Sequence, residues 1–263
     1  MIVSIADLHG RADLLRAVLA HYPPDTHFVC LGDVIDRGPD SLGCVARLLE
    51  LRAQGRATLL MGNHEYMAQD GLRRYRRYAQ SHDLEDYRAA LRGFAWWSGN
   101  GGDSVRREAG HFGVEGYPNE LVEYLDALQH VVYVDARGQV HSQLPAGPSV
   151  LLAHASPPVA RRNYPSPEVA ALWLRPNEGP YQLPPGVVYS AHGHTPVRRP
   201  LRLGAQVYLD LGAYVTGHLA LLPLDPTAAP QALILKGPGQ PERLHKFASM
   251  GEPLPVQELA RGR

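Results

Sequence analysis

Excess charge of one sign, cysteine, lysine and long apolar runs are all scarce in this chain. Its 263 residues carry 26 basic and 26 acidic side chains, a formal net charge of zero. No overall field therefore recruits nucleic acid or an anionic membrane, and any polyanion must be attracted locally. Cys30 and Cys44 are the only cysteines, spaced 14 apart with no second pair, which supports neither a disulfide framework nor a thiolate zinc site. No window reaches 18 apolar residues. Met1-Ile2-Val3-Ser4-Ile5-Ala6-Asp7 lacks the basic stretch, apolar core and cleavage pattern of a secretory leader. These absences point to a soluble, reducing, cytoplasmic setting. Lysine stands only at Lys236 and Lys246, a bias that runs through the whole chain and marks no site. What remains, 44% apolar side chains against 20% charged, is enough for an ordinary core in one large domain and excludes disorder as the main state.

Short apolar runs recur, each ending at something polar: Ile2 to Ala6 before Asp7, Phe28 to Leu31 before Gly32, Thr58 to Met61 before Gly62. They read as buried strands. Between them, Arg11 to His21 and Asp40 to Gln54 space Leu, Val and Ala as a helix does. Strand, helix, strand, helix, strand is a parallel βαβ start. From Asn63 to about Gln129 the pattern turns mostly helical, with Leu84 to Trp97 and Pro118 to Leu128 as the clearest segments. Strand-like runs follow at Val131 to Val134, Val150 to Ala153, Val187 to Ala191, Gln206 to Leu211 and His218 to Pro223. The expected organisation is a catalytic domain over 1–235 with a helical insertion at about 66–129, and a loosely packed tail over 236–263.

In an open α/β sheet, ligands bind beyond the carboxyl ends of the strands. Those ends hold Asp7-Leu8-His9-Gly10, Gly32-Asp33-Val34-Ile35-Asp36-Arg37-Gly38 and Gly62-Asn63-His64-Glu65. Farther on, Leu152-Ala153-His154 and Ala191-His192-Gly193-His194-Thr195-Pro196 again run an apolar strand into imidazole. Oxygen and imidazole donors without thiolates suit borderline divalent ions such as Mn, Fe, Zn or Co, and two ions are expected. Asp7 and His9, two apart on an extended strand, can grip one ion together, with Asp33 as the natural bridge. The second ion takes Asp33, Asn63, His154 and His194. Asn63 is neutral, so the two carboxylates leave the ions a positive excess to face a phosphate dianion.

These residues resemble the calcineurin-like metallophosphoesterase superfamily. Within it they resemble the phosphoprotein phosphatase branch, whose Asp-x-His-Gly, Gly-Asp-x-x-Asp-Arg-Gly and Gly-Asn-His-Glu motifs are all present. The likeness continues through His154 and Gly193-His194-Thr195-Pro196 to about Leu222. It implies a four-layer α/β sandwich, two mixed β-sheets flanked by helices, with Asp7, His9 and Asp33 on one metal and Asp33, Asn63, His154 and His194 on the other. It further implies that His64 protonates the leaving oxygen, that Asp36 holds the His64 ring, and that Arg37 clamps phosphate. The chain looks closest to the bacterial and lambda-phage-type serine/threonine protein phosphatases. Trp96 and Trp97 before Asn100-Gly101-Gly102, Leu172-Trp173-Leu174-Arg175 and Leu209-Asp210-Leu211-Gly212-Ala213-Tyr214 all look like segments of those enzymes. Arg175 is a candidate second phosphate contact, and Tyr214 a candidate for the wall of the substrate cleft. The implied reaction is phosphoester hydrolysis by direct attack of metal-bound hydroxide with no phosphoenzyme, manganese being the first choice of metal and iron, zinc, cobalt or nickel the others.

Departures qualify the likeness. Met61 stands where eukaryotic relatives carry Arg, and Ala155-Ser156-Pro157-Pro158 follows His154 in place of a Gly-Gly pair. His192 competes with His194 but reads better as a packed strand residue. Arg73-Arg74-Tyr75-Arg76-Arg77-Tyr78 either grips a phosphopeptide or nucleotide or is a solvated helix face neutralised by Asp83, Glu85 and Asp86, and the second fits better. Trp96 and Trp97 read as core, and Asp126 and Asp135 as exposed. The expected substrate is a phosphorylated protein, with diadenosine tetraphosphate or another nucleotide as the alternative. No nucleic-acid or membrane partner is expected, and no oligomer signature is evident. A metal-occupied scaffold that binds phosphorylated partners without turnover is a third reading, against which intact His64 and Asp36 speak.

Overall fold

Ile2–Ile5 is apolar but for Ser4, whose hydroxyl donates to the Leu222 carbonyl at 3.3 Å, so it needs cover on both sides, and it forms a central strand of one sheet. The computed structural model describes residues 1–248 other than 112, 180, 238 and 245. The chain runs β1 (Ile2–Ile5), α1 (Ala12–His21), β2 (His27–Cys30), α2 (Ser41–Ala53) and β3 (Ala57–Leu59), then α3 (Asn63–Ser81), α4 (Leu84–Trp97), α5 (Asp103–Ala109) and α6 (Asn119–Asp126). It continues through β4 (Val131–Asp135), β5 (Val140–His141), β6 (Ser149–Ala153), the short α7 (Pro167–Ala170), β7 (Val187–His192), β8 (Leu201–Leu203) and β9 (Gln206–Tyr208). The one-turn α8 (Ala213–Thr216), β10 (His218–Pro223), β11 (Leu233–Lys236) and β12 (Glu242–Arg243) complete the described order.

Two mixed sheets of six strands each, flanked by helices, result. One has the order β12-β11-β10-β1-β2-β3 and the other β5-β4-β6-β7-β9-β8. β1, β2 and β3 are parallel to one another, as are β6, β7 and β9. The fold is the α/β metallophosphoesterase arrangement expected from the sequence. β5, β8, β11 and β12 were not legible, because none of these two- to four-residue strands is a largely buried apolar run leading into a polar cluster as β1 to β3 are. β11 crosses the expected boundary at 235, and the part of the expected tail beyond residue 248 lies outside the described residues. β3 stops at Leu59, and Met61 N instead donates to the Gln129 carbonyl at 2.8 Å, which brings the end of the helical segment back to the sheet edge.

The expectation that both Trp96 and Trp97 are core is half corrected. Trp97 has no exposed surface, whereas Trp96 is 41% exposed and stacks on Trp173 at 5.9 Å. Neighbouring helical positions point about 100° apart, so only one of the two can face inward. Arg73 and Arg74 pair with Asp70, Arg76 with Asp126 at 3.1 Å and Arg77 with Asp86 at 2.8 Å. The basic run is thus a neutralised helix face.

His192 is a buried strand residue. Its Nδ1 bonds the Ala153 carbonyl at 2.8 Å, and Nε2 the Ser190 hydroxyl at 2.8 Å. Burial, opposed by the Ala153 carbonyl and helped by His154, holds it down at about 3. An unfolded chain protonates this ring near pH 6.5, so in the window between the two values the unfolded state binds the extra proton and stability falls as pH falls. His192→Gln removes that titration. The wild-type unfolding free energy should therefore drop more steeply than the variant's, by about 1.4 kcal/mol per pH unit between about pH 4 and pH 6. Denaturant melts across that range check it, and equal slopes would show that His192 is not held neutral.

Candidate metal centre and cleft

Parallel register makes the strand ends flush. Ile5 pairs with Cys30 and Cys30 with Leu59, so Asp7, Asp33 and Asn63 leave the first sheet along one edge. In the second sheet Leu152 pairs with Ala191, and β6 and β7 deliver His154 and His194 to the same place. The sheets are tied together there. His154 Nδ1 lies 2.8 Å from the Leu31 carbonyl, and the backbone N–H of His194 donates to Asp7 Oδ2 at 2.9 Å. Only glycine permits this approach at position 193, where a Cβ would lie 1.9 Å from Asp7 Oδ1.

Three of the predicted imidazoles are oriented alike. His9 Nδ1 faces the Ile35 carbonyl at 2.8 Å, His154 Nδ1 that of Leu31, and His194 Nε2 that of Trp173 at 3.1 Å. A ring nitrogen facing a carbonyl carries the proton, which leaves Nε2 of His9 and His154 and Nδ1 of His194 to present lone pairs inward. Asp33 sits between them. Its Oδ2 is 3.6 Å from His9 Nε2, and its Oδ1 is 3.4 Å from His154 Nε2. Asn63 Oδ1 lies 3.0 Å from His154 Nε2 and 2.8 Å from His194 Nδ1. Donor atoms gather as His9, Asp33 and His64, and as Asp33, His154 and His194, each set within 4.8 Å, so Asp33 is common to both.

This donor set fits divalent cations. Acceptor atoms converge there, Arg37 Nη1 reaches among them to His9 Nε2, and buried Asp7 Oδ1 has no hydrogen-bond partner. Burial pushes the Asp7 carboxyl well up, with Asp210 and Asp33 adding to the push against His154 and the His194 N–H. Burial likewise takes Asp210 up to about 6. At His154 burial pulls the other way, yet Asp33 and Asp7 override it and lift the ring to about 10, so the site draws positive charge to that nitrogen. Burial and His154 hold His194 down at about 3, and burial with His64 and Arg37 lowers His9. Those two rings are neutral, as metal ligands must be.

Of the other predicted residues, His64, Arg37, Arg175 and Tyr214 line one cleft of about 500 Å³ beside these donors, and Asp36 lies behind His64. His64 Nδ1 is 2.7 Å from Asp36 Oδ2, and both residues are buried. Arg37 is exposed, its Nη1 donates to His9 Nε2 at 3.0 Å, and its guanidinium lies 5.2 Å from the centre of the Tyr214 ring. Tyr214 also meets His9 edge-on at 5.3 Å. Arg175 reaches the cleft with a buried Nη1 that has no hydrogen-bond partner. A second cavity of about 540 Å³, between α1 and α2, contains none of the predicted residues.

Sequence reasoning missed four contributors: Glu65, Trp97, Trp173 and Asp210. Glu65 receives backbone N–H groups from the loops after β2 and β3, and the Trp97 indole donates to Asp36. Trp173 fixes His194 through its carbonyl, and Asp210 adds negative charge beside Asp7. A carboxylate three residues into a helix is a recognisable capping signal, which makes Glu65 the one of the four that spacing could have found.

A family model described as calcineurin-like phosphoesterase matches residues 1–198. Serine/threonine-protein phosphatase 1 of Salmonella typhimurium is 30% identical over 225 residues, covering 82% of this chain and 88% of the relative. A symmetrical bis(5'-nucleosyl)-tetraphosphatase of Ralstonia nicotianae is 39% identical over 62 residues, 24% of this chain and 22% of that protein. Among solved structures, a protein assigned as a diadenosine tetraphosphatase superposes with a TM-score of 0.54 at 21% identity, covering 90% of this chain and 93% of its own.

A residue common to both donor sets and a residue whose ring is bound to Asp36 should respond differently to substitution. Asp33→Asn is expected to lose metal and activity together, whereas His64→Asn should keep its metal and lose about 100-fold or more in turnover. Elemental analysis of protein purified after metal loading makes the comparison, and full metal content in Asp33→Asn would remove Asp33 from the shared position.

Proposed function

The chain belongs to the calcineurin-like phosphoesterase family and is a phosphoric ester hydrolase, and on that premise we propose that it is a serine/threonine protein phosphatase. One observation carries this choice. The relative named as a serine/threonine-protein phosphatase aligns over 82% of the chain, whereas the tetraphosphatase aligns over 24%. Asp7, His9 and Asp33 would hold one divalent ion, and Asp33, Asn63, His154 and His194 the other, with manganese the first to test. Bound there, the ions supply Lewis acidity to the phosphoryl group and acidify water.

The chain's own residues supply the rest. Arg37 offers a planar fork to two phosphoryl oxygens, and Arg175 brings a buried, unpartnered Nη1 to the same cleft. His64 carries a proton at Nε2 for the departing oxygen, while Asp36 on Nδ1 fixes the tautomer and the ring. The Tyr214 ring forms one wall, held by the Arg37 guanidinium. A reducing, cytoplasmic setting fits Cys30 and Cys44, both buried and free.

The deciding measurement is kcat/KM of Mn-loaded protein on a phosphothreonine peptide against diadenosine tetraphosphate. The peptide should win by at least about tenfold, a difference of about 1.4 kcal/mol in transition-state stabilisation. A dinucleotide preference of that size would make the chain a nucleotide hydrolase instead, and turnover of neither would place its substrate among other phosphoric esters.

A further inference from the structure

Asp36 has a second buried partner besides His64. The indole of Trp97, which has no exposed surface, points Nε1–H at the carboxylate, 3.0 Å from Oδ1 and 3.0 Å from Oδ2, while His64 Nδ1 sits 2.7 Å from Oδ2. The indole is itself confined. Tyr117 stacks on one face at 5.3 Å and 17°, and on another side Gly102 leaves the room a side chain would take, since a Cβ there would lie 2.7 Å from Cε2 and Nε1. The turn that brings Gly102 back, Ser98–Gly102, also reaches the neighbouring residue, for Arg37 N donates to the Gly101 carbonyl at 3.2 Å. Asp36 and Arg37 both have left-handed backbone, φ 74° and 69°. Non-glycine residues stay there only where their surroundings hold them.

We infer that Trp97 is a positioning residue for phosphoester hydrolysis: its indole N–H fixes Asp36, and Asp36 in turn aims the His64 ring at the leaving oxygen. The inference rests on the reading of His64 as proton donor. As a hydroxide oxygen bonds to phosphorus, the P–O ester bond breaks, its electron pair leaves with the ester oxygen, and that oxygen takes the proton from His64 Nε2. A carboxylate with one donor can turn about its Cβ–Cγ bond and carry the imidazole with it. Donors on both oxygens stop that rotation, and the buried stacking of Trp97 makes its N–H a fixed point.

Trp97→Phe keeps an aromatic ring for Tyr117 and removes only the donor. For a phosphothreonine peptide, whose alkoxide needs the proton, kcat should fall about 10- to 100-fold at unchanged KM. For p-nitrophenyl phosphate, whose phenolate leaves without one, the loss should stay within about threefold. Asp36→Asn should show the same bias, and the double variant should be no worse than the worse single one. Gly102→Ala, which crowds the indole without removing it, should reproduce the pattern and carries the test if Trp97→Phe does not fold. A readout independent of turnover is the indole N–H spectrum of the three tryptophans. The resonance lost in Trp97→Phe should be slow to exchange and should move in Asp36→Asn. Equal losses on both substrates, additive effects of Trp97→Phe and Asp36→Asn, or an indole resonance indifferent to Asp36→Asn would overturn the inference. Absence of leaving-group bias in Asp36→Asn itself would instead overturn His64 as the proton donor.

Discussion

The buried carboxylate of Glu65 is the contact on which the layout of the site depends. Oε2 accepts the backbone N–H groups of Asp33 at 2.8 Å and Gly62 at 3.0 Å, and Oε1 those of Val34 at 2.8 Å and Ile35 at 3.3 Å, with the Tyr124 hydroxyl at 3.2 Å. One side chain thereby sets the spacing between the loop after β2, which bears Asp33, and the start of α3, which bears Asn63. Hydrogen bonds to a charged group are each worth about 1.5–3 kcal/mol. Several together offset the cost of burying the charge. Burial and Asp33 push this carboxyl up, and the N–H groups of Asp33 and Val34 pull it down. Without Glu65, several buried donors lose their acceptor at the two loops that carry the expected metal donors Asp33 and Asn63.

That restraint matters because the backbone at this edge is strained. His9, Asp33, Asp36, Arg37 and His194 all have φ between 43° and 74°, and His82, at the end of α3, is the only other such non-glycine residue described. Strain of this kind costs of order 1–3 kcal/mol per residue and persists only where the surroundings over-determine it. Its concentration here follows from geometry. Flush parallel strands aim their chains straight out of the sheet, and a left-handed residue turns the next side chain back over the edge. The second sheet contributes to the same end, since His154 and His194 reach across to Leu31 and Asp7 and lock the two edges together.

Much of this was legible in the sequence because the relevant signals are local. Apolar runs ending at Asp7, Gly32, Gly62, His154 and Gly193 mark strand ends, and a parallel sheet necessarily collects strand ends on one edge. Of the expected metal donors, His9, Asp33, His154 and His194 accordingly fall in the two clusters, Asn63 lies against His154 and His194, and Asp7 is tied in through the His194 N–H, while His192 is the packed strand residue that its mismatch to the family pattern suggested. Trp97 and Asp210 were harder to see because their partners are distant, Trp97 lying 61 residues from Asp36; Glu65 is readable as a helix cap, but not as the acceptor for Asp33, 32 residues away. The outward turn of Trp96 was lost because a paired Trp-Trp reads as doubly apolar until the helix phase is known. The pairing of Arg76 with Asp126, 50 residues on, was likewise hidden, whereas Asp70 stands three and four residues before Arg73 and Arg74 and was readable from helical spacing.

The position of the helical segment has a physical reason in the loop between β2 and α2. That loop leaves the sheet at Leu31, beyond which no strand ladder can hold it, and its backbone must be secured from elsewhere. Successive parts of the segment after β3 do so in order. Glu65 in α3 takes the N–H groups of Asp33 to Ile35, and Trp97 in α4 takes the Asp36 carboxylate. Gly101 takes the Arg37 N–H, and Glu108 in α5 takes the Leu42 N–H at 2.8 Å. Each step along the loop meets a step along the helices, so the two segments are packed as a pair. A chain that lost this helical segment would keep its parallel sheet edge and most of the expected metal donors. It would release Asp36 and Arg37, because the Trp97 indole and the Gly101 carbonyl that hold them belong to the helical segment and not to the sheet.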